Sequence, residues 1–329
     1  MSDIKNKNDK QQDVKELNAE QLVKEADKRA SDSSMWNTFK RRFRRSKTAI
    51  AGFILLIIMF STAIIGPVIY GGFEFTIGDT EISWNGTHGH HYRAQNLDNR
   101  LAEQSWEHPL GTDRLGRDVL ARVLWGGRVS LAVGFVAMGI SGSIGIVMGA
   151  SAGYFGGAVD AIIMRFTEIV MSFPLLFLLL TILAFFDGGI MLIMVVIGIT
   201  GWTGVCRLVR AEFLSLRERD FTQAAQALGA SDMRIIFKHI LPNAMAPLIV
   251  SITLGIGGAI LTETTLSFLG IGITPPNPSW GNVLNDGQSY LRDHHYLTTY
   301  PGIFIFLTIL GYNFLGDGLR DSLDPRLKQ

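Results

Sequence analysis

The sequence predicts an all-α membrane protein with six transmembrane helices and with both termini in the cytoplasm. Of its 329 residues, 47% are hydrophobic and only 18% are charged, against roughly 25% in soluble domains. Six apolar runs are long enough to cross the hydrocarbon core of a bilayer, which takes about 20 residues of helix. A soluble protein with buried helices is disfavoured, because too little polar sequence remains to cover six such runs.

The six runs occupy residues 48–72, 129–159, 161–186, 188–206, 244–268 and 300–316. The second contains many glycines, which is typical of close helix packing. Arg165 and Glu168 in the third are expected to pair locally. Because a charged group at membrane depth is a functional candidate, Glu263 in the fifth run is the candidate for the translocation path. A structural hydrogen bond, or a place near the outer interface, stays open as the alternative.

The orientation follows from basic residues next to the spans. They cluster within 40–47, 207–238 and 320–328, whereas the loop after the fifth run has only Arg292. Short loops rich in Lys and Arg stay in the cytoplasm. An even number of spans puts both termini there. Four arginines at 114, 117, 122 and 128 fall outside in this topology, but long loops cross the membrane largely regardless of charge.

Polar sequence precedes and separates the spans. Residues 1–34 are predicted to be a polar cytoplasmic tail. In 35–47, rings at Trp36, Phe39 and Phe43 alternate with cations, which predicts an amphipathic helix in the interface; a plain basic flank is the alternative. Transmembrane helix 1 covers 48–72. Residues 73–127 form an external segment, in which Thr76, Ile77, Ile82 and Trp84 favour a short hairpin.

Six of the seven histidines fall outside the membrane in this topology. His88, His90 and His91 are close in sequence, and His108, His294 and His295 are the others. Imidazoles can bind a metal, but closely spaced loop histidines are usually solvated, so we predict no metal site. Cys206 is the single cysteine, so it cannot form an intrachain disulfide, and we expect a small packed side chain.

The loop between the fourth and fifth runs, 207–243, predicts two short helices that meet at a glycine. Gly229 can end the first helix, because glycine takes left-handed backbone angles cheaply. Ser231 or Asp232 can cap the second, and Pro242 is expected to end it. On that second helix, Met233, Ile236, Phe237 and Ile240 should share one side. The shape suits docking in a groove of a partner; a loop that only connects two spans is the alternative.

This loop resembles the EAA loop of ABC importer permeases. The likeness is carried by Gln223-Ala224-Ala225, by Gly229 after three intervening residues and by Pro242 after twelve further intervening residues. In that family the loop supplies the coupling helix that docks on the ATP-binding subunit. Two residues differ from the usual pattern, Gln223 in place of glutamate and His239 in place of isoleucine. The resemblance assigns coupling to Gln223, Ala224, Ala225, Leu228, Gly229, Ala230, Asp232 and Pro242.

Three further segments resemble the C-type subunit of the dipeptide and oligopeptide (peptide/nickel) branch. They are HPLGTDRLGRD at 108–118, ETTLSFLG at 263–270 and PSWG at 278–281. The resemblance covers about residues 35–325. It implies a type I ABC importer transmembrane domain, with residues 128–325 as a permease core that holds five further spans and the coupling loop 207–243.

The resemblance implies a pore-forming, non-catalytic permease subunit that imports di- or oligopeptides by alternating access across the cytoplasmic membrane of a prokaryote. Its partners would be a homologous permease, two cytoplasmic ATP-binding subunits and an external peptide-binding protein, all in a lipid bilayer. The chain has no G-x-x-x-x-G-K-[ST] phosphate loop, so ATP and Mg would be bound by partners, with no cofactor on this chain. A net charge of +1 gives no basic field for nucleic acid. A nickel permease and an autonomous secondary transporter or channel stay open.

Overall fold

Helices make up most of the chain that the computed structural model describes, which comprises residues 35–77, 80–84, 86–186 and 189–323. The predicted tail, 1–34, lies outside the described residues. The helices are α1 Met35–Phe43, α2 Lys47–Ile64, α3 Gly66–Gly71, α4 Val119–Phe155, α5 Gly157–Ser172, α6 Leu175–Ala184, α7 Ile190–Arg217, α8 Asp220–Ala227, α9 Asp232–Arg234, α10 Leu241–Phe268, α11 Trp280–Gly287 and α12 Tyr296–Leu323.

The external segment begins with the predicted hairpin. Strands β1 Phe73–Ile77 and β2 Thr80–Trp84 are antiparallel, with Phe73 opposite Trp84 and Ile77 opposite Thr80. The hairpin predicted from Thr76, Ile77, Ile82 and Trp84 is therefore confirmed. A 3-10 turn, Leu97–Asn99, follows before α4 begins.

Among the described residues, five stretches of helix are long and apolar enough to cross a membrane: Lys47–Gly71, Val119–Phe155, Ile190–Arg217, Asp232–Phe268 and Tyr296–Leu323. Helices α5 and α6 form a bent pair at 83°, which brings the number to six if the pair is one span. The third predicted run, 161–186, is therefore not a straight helix. Pro174 explains the break, because proline disfavours helical angles at the residue before it, and Phe173 is extended.

Several spans are longer than their apolar runs. Helix α4 begins at Val119 rather than near 129, because the Asp118 side chain accepts the backbone N–H of Ala121 at 2.8 Å and caps the helix. Helix α7 continues to Arg217, well past Cys206. The last residues of the predicted external segment therefore belong to α4, and the first eleven residues of the predicted loop 207–243 belong to α7.

The glycines of the second span allow α4 to approach α7 closely, as predicted. A Cβ at Gly145 would lie 2.6 Å from Val205 Cβ, and one at Gly153 would lie 2.6 Å from Phe213 Cβ. Any larger residue would force the helices apart. Cys206 is buried and free in this contact region, which confirms that it packs as a small side chain.

Candidate coupling site

The bend between α8 and α9 depends on the backbone of Gly229. Its φ is +75°, a conformation that L side chains rarely adopt. The Gly229 N–H donates to the carbonyl of Gln226 at 2.9 Å, and the Ala230 N–H donates to that of Ala225 at 3.1 Å. These two bonds form the glycine C-cap predicted from the sequence. A Cβ at Gly229 would meet no atom within 4 Å, so the backbone angle, not space, requires glycine.

An apolar surface is exposed around this bend, which we call the elbow surface. It consists of Phe221, Leu228, Met233 and Phe237, with Leu228 88% exposed and Met233 62% exposed. Ile236 and Ile240 are buried instead. The predicted shared side of Met233, Ile236, Phe237 and Ile240 was therefore wrong. Ile236, Phe237 and Ile240 lie in a π turn, Ile235–Ile240, whose period differs from that of an α-helix. The side expected for a regular α-helix is therefore split: the two isoleucines face the core, and Met233 and Phe237 face out.

The second elbow helix continues into the fifth span without ending at Pro242. A π turn, Ile235–Ile240, joins α9 to α10, and Pro242 lies in the first turn of α10. Pro242 has no N–H for the usual helical bond, but the Asn243 side chain donates to the carbonyl of His239 at 2.6 Å. The prediction that Pro242 ends the helix was wrong, and the elbow and the span form one continuous element.

The elbow is also attached to neighbouring helices. Ser231 occupies the N-cap position of α9 but its side chain makes no capping bond. Oδ1 of Asp232 accepts the Tyr154 hydroxyl at 2.7 Å instead. The Thr222 hydroxyl donates to the carbonyl of Leu216 at 2.8 Å, which fixes α8 against the end of α7. No sequence signal pointed to Tyr154.

Most of the residues assigned to coupling lie together on the outside of this elbow. Of the eight, Ala225 is buried and Ala230 is half-buried. The Gln223 side chain donates to the carbonyl of Glu218 at 3.2 Å. The others are exposed: Gln223, Ala224, Leu228, Gly229, Asp232 and Pro242.

Glu263 is buried inside the chain. It has no exposed surface. The Ser130 hydroxyl donates to Oε2 at 3.0 Å, and the Ser267 hydroxyl donates to Oε1 at 2.7 Å. The assignment of Glu263 to the translocation path stays a prediction. The alternative, a structural hydrogen bond, describes its surroundings.

The segment around Trp280 packs against Ser130 and Ser267, the two serines that donate hydrogen bonds to Glu263. The Trp280 N–H donates to Oγ of Ser130 at 3.2 Å, and its indole Nε1 donates to the carbonyl of Val123 at 2.9 Å. A Cβ at Gly281 would lie 2.7 Å from Ser267 Cβ. The ETTLSFLG and PSWG motifs thus meet, and both stabilise the outer half of the spans.

The HPLGTDRLGRD motif forms a buried ion network on the external side. Arg122 Nη1 lies 2.7 Å from Asp113 Oδ2 and 2.8 Å from Asp286 Oδ2. Arg117 Nε lies 2.6 Å from Asp113 Oδ2, and Arg114 pairs with Asp286 at 3.2 Å. The carboxylates of Asp113 and Asp286 thus form ion pairs with three of the four external arginines, whose position departs from the positive-inside rule. A buried charge needs such partners.

These features define a membrane-spanning transport subunit, and the comparisons with known proteins show its family. The chain belongs to the binding-protein-dependent transport system inner membrane components, whose family model matches residues 145–329. Residues 34–101 match the N-terminal transmembrane domain of oligopeptide transport permease C.

Two similar proteins belong to the oligopeptide and dipeptide branch of this family. The chain is 38% identical over 319 residues to the oligopeptide transport system permease protein OppC of Haemophilus influenzae, covering 96% of this chain and 97% of that one. It is 38% identical to the dipeptide transport system permease protein DppC of Alkalihalophilus pseudofirmus, covering 90% and 91%.

A solved structure shares the fold. The methionine ABC transporter MetNI in an inward-facing conformation has a chain that matches with a TM-score of 0.51 and 19% identity, over 62% of this chain and 96% of that chain. The fold is therefore that of an ABC importer transmembrane domain.

Proposed function

We propose that this chain is the permease subunit through which an ATP-driven importer moves di- or oligopeptides across the cytoplasmic membrane of a prokaryote. Membership of the permease family supports the transport role. The peptide cargo is supported by the relatives, whose names specify oligopeptides and dipeptides. The chain itself is a non-catalytic subunit in this proposal, and partner subunits bind ATP and Mg.

The elbow surface is the observation that carries the coupling role. Exposed apolar side chains around a fixed bend are typical of a docking site. The helix from Asp232 to Phe268 is continuous, so a displacement at the elbow moves the fifth span directly. An ATP-binding subunit that changes shape would thereby favour one of two membrane conformations, which is the basis of alternating access.

The proposed assembly contains this chain, a homologous permease, two cytoplasmic ATP-binding subunits and an external peptide-binding protein. One ATP-binding subunit docks on the elbow surface through apolar packing. Gln223 carries no charge, so its contribution to docking would be a hydrogen bond instead of an ion pair. The Arg234 and Lys238 side chains are exposed beside the elbow surface and could meet acidic groups of that subunit.

The test is peptide uptake by the reconstituted complex. The two permeases and the ATP-binding subunits are placed in liposomes with ATP inside, and labelled peptide and binding protein are added outside. We expect uptake that stops when the phosphate-loop lysine of the ATP-binding subunits is replaced. Uptake by the permeases alone would show a secondary transporter. Nickel uptake without peptide uptake would show the other branch of the family.

A further inference from the structure

A small cavity on the external side is lined by residues from two separate parts of the external segment. It has a volume of about 100 Å³, and His90, Glu107, His108 and Asp118 are among the residues that line it. His90 comes from the segment after the hairpin, Glu107 directly precedes the motif that leads into α4, and His108 and Asp118 belong to that motif. The cavity therefore lies where the external segment meets the start of the second span.

Three of these side chains could share a metal ion. His90, Glu107 and His108 each offer one ligand atom, and these atoms all lie within 4.8 Å of one another. Two imidazoles and a carboxylate are a donor set that zinc prefers. Ligand atoms around a tetrahedral zinc are about 3.4 Å apart, from metal–ligand distances near 2.0–2.1 Å. His90 is half-buried and Glu107 is exposed, so small side-chain rotations can close this gap.

His108 is held in the orientation that a metal ligand needs. Its Nδ1 lies 2.8 Å from Oδ2 of Asp118, and its side chain is buried. The same Asp118 oxygen accepts the Tyr70 hydroxyl at 2.9 Å, and Oδ1 caps α4. A carboxylate on one ring nitrogen leaves Nε2 for a metal and fixes the tautomer, as it does in known zinc sites.

His90 contacts both other members of the group. Its ring is stacked on that of His108, with the centroids 4.6 Å apart. Its Nε2 lies 3.1 Å from the backbone carbonyl of Glu107. The two imidazole rings are thus already in contact before any ion binds.

We propose that His90, Glu107 and His108 bind one divalent transition-metal ion of the zinc class, and that Asp118 positions His108 for it. Such an ion would cross-link the external segment to the capped start of α4. Because the metal binds the folded chain, it stabilises that part of the structure. This site is resident on the outer surface and is independent of the cargo, so the proposal does not rest on peptide transport.

The experiment is a zinc titration of the purified full-length chain in detergent, after removal of any affinity tag and of bound metal with a chelator. We expect one equivalent of zinc per chain by calorimetry. Cobalt at the same site should give visible absorption bands that zinc displaces. Zinc should also raise the melting temperature.

Three variants test whether zinc binds at these residues. H90A and E107Q should weaken zinc binding by about tenfold or more, the range found when metal-site residues are altered. Both positions are accessible, so the chain should still fold, and the melting temperature without zinc checks this. H295A removes an exposed external histidine outside the group and should change nothing. Absence of a zinc equivalent in the native chain, or equal affinity in H90A, would overturn the proposal.

Discussion

The hydroxyl of Tyr154 donates a 2.7 Å hydrogen bond to Oδ1 of Asp232 and joins the end of α4 to the first turn of the elbow helix. Tyr154 is buried, whereas Asp232 is exposed. The elbow is thus attached to two spans, through its continuous helix to the fifth and through this bond to the second. A partner that moves the elbow would move both.

This bond can be measured by a double-mutant cycle. Tyr154→Phe and Asp232→Ala should each destabilise the isolated chain, and the double variant should lose less than the sum, with a coupling of about 0.5–3 kcal/mol. The readout is unfolding in mixed detergent, where no ATPase is present. Tyr300→Phe is the control, because its hydroxyl accepts a hydrogen bond from Gln104 at 3.1 Å and not from Asp232, so its loss should add to that of Asp232→Ala. Strictly additive losses would show that the bond contributes nothing.

Gly229 is expected to tolerate alanine better than proline. Alanine at φ +75° costs about 1–2 kcal/mol, but its Cβ meets no atom. Proline fixes φ near −65° and removes the N–H that bonds Gln226. Gly229→Pro should therefore insert in the membrane and lose transport-coupled ATP hydrolysis, while Gly229→Ala keeps part of it. Gly302→Ala, in a helix with open space, is the control. Normal peptide transport by Gly229→Pro would contradict the docking role.

Leu228 tests the elbow surface without disturbing the fold. It is 88% exposed, so Leu228→Glu should leave the melting temperature of the chain unchanged. Docking would remove water from the new glutamate without giving it a polar partner, which is costly. The amount of ATP-binding subunit that co-purifies with the chain should therefore fall at least about tenfold. The matched control is Leu291→Glu, at an exposed leucine on the external side. Equal retention of the ATP-binding subunit by both variants would rule out docking at Leu228.

Glu263 should act through stability and not through cargo recognition. In Glu263→Gln, one of the two serine hydroxyls loses its acceptor, because an amide nitrogen cannot accept its proton. A buried unsatisfied group costs about 1–3 kcal/mol, so the melting temperature should fall while the KM for peptide stays the same. Thr262→Ala, at a half-buried neighbour on the same helix, is the control. A change in KM with unchanged stability would instead support a role for Glu263 in the translocation path.

The external ion network and the Glu263 cluster share one property that the sequence alone does not show. Arg122 and Asp286, like Ser130 and Glu263, are far apart in the chain but in contact in the fold. The motifs that contain them were recognisable by their residues. Their role in packing was not, since a motif does not state which distant segment it meets.

The sequence by itself determined the membrane class, a set of five or six apolar spans, the hairpin and the glycine bend, because hydrophobicity, β propensity and backbone freedom are properties of short segments. It did not determine where helices end. Pro174 breaks a span while Pro242 does not, and Asp118 starts α4 ten residues early. These outcomes depend on caps and neighbours that lie outside the local window.

Only the tertiary structure decided which side chains meet. It turned Met233 and Phe237 outward and Ile236 inward, buried Glu263 between serines, and brought His90 beside Glu107 and His108. The physical reason is that burial and pairing depend on contacts between segments tens to hundreds of residues apart. Local sequence patterns carry no information about such contacts.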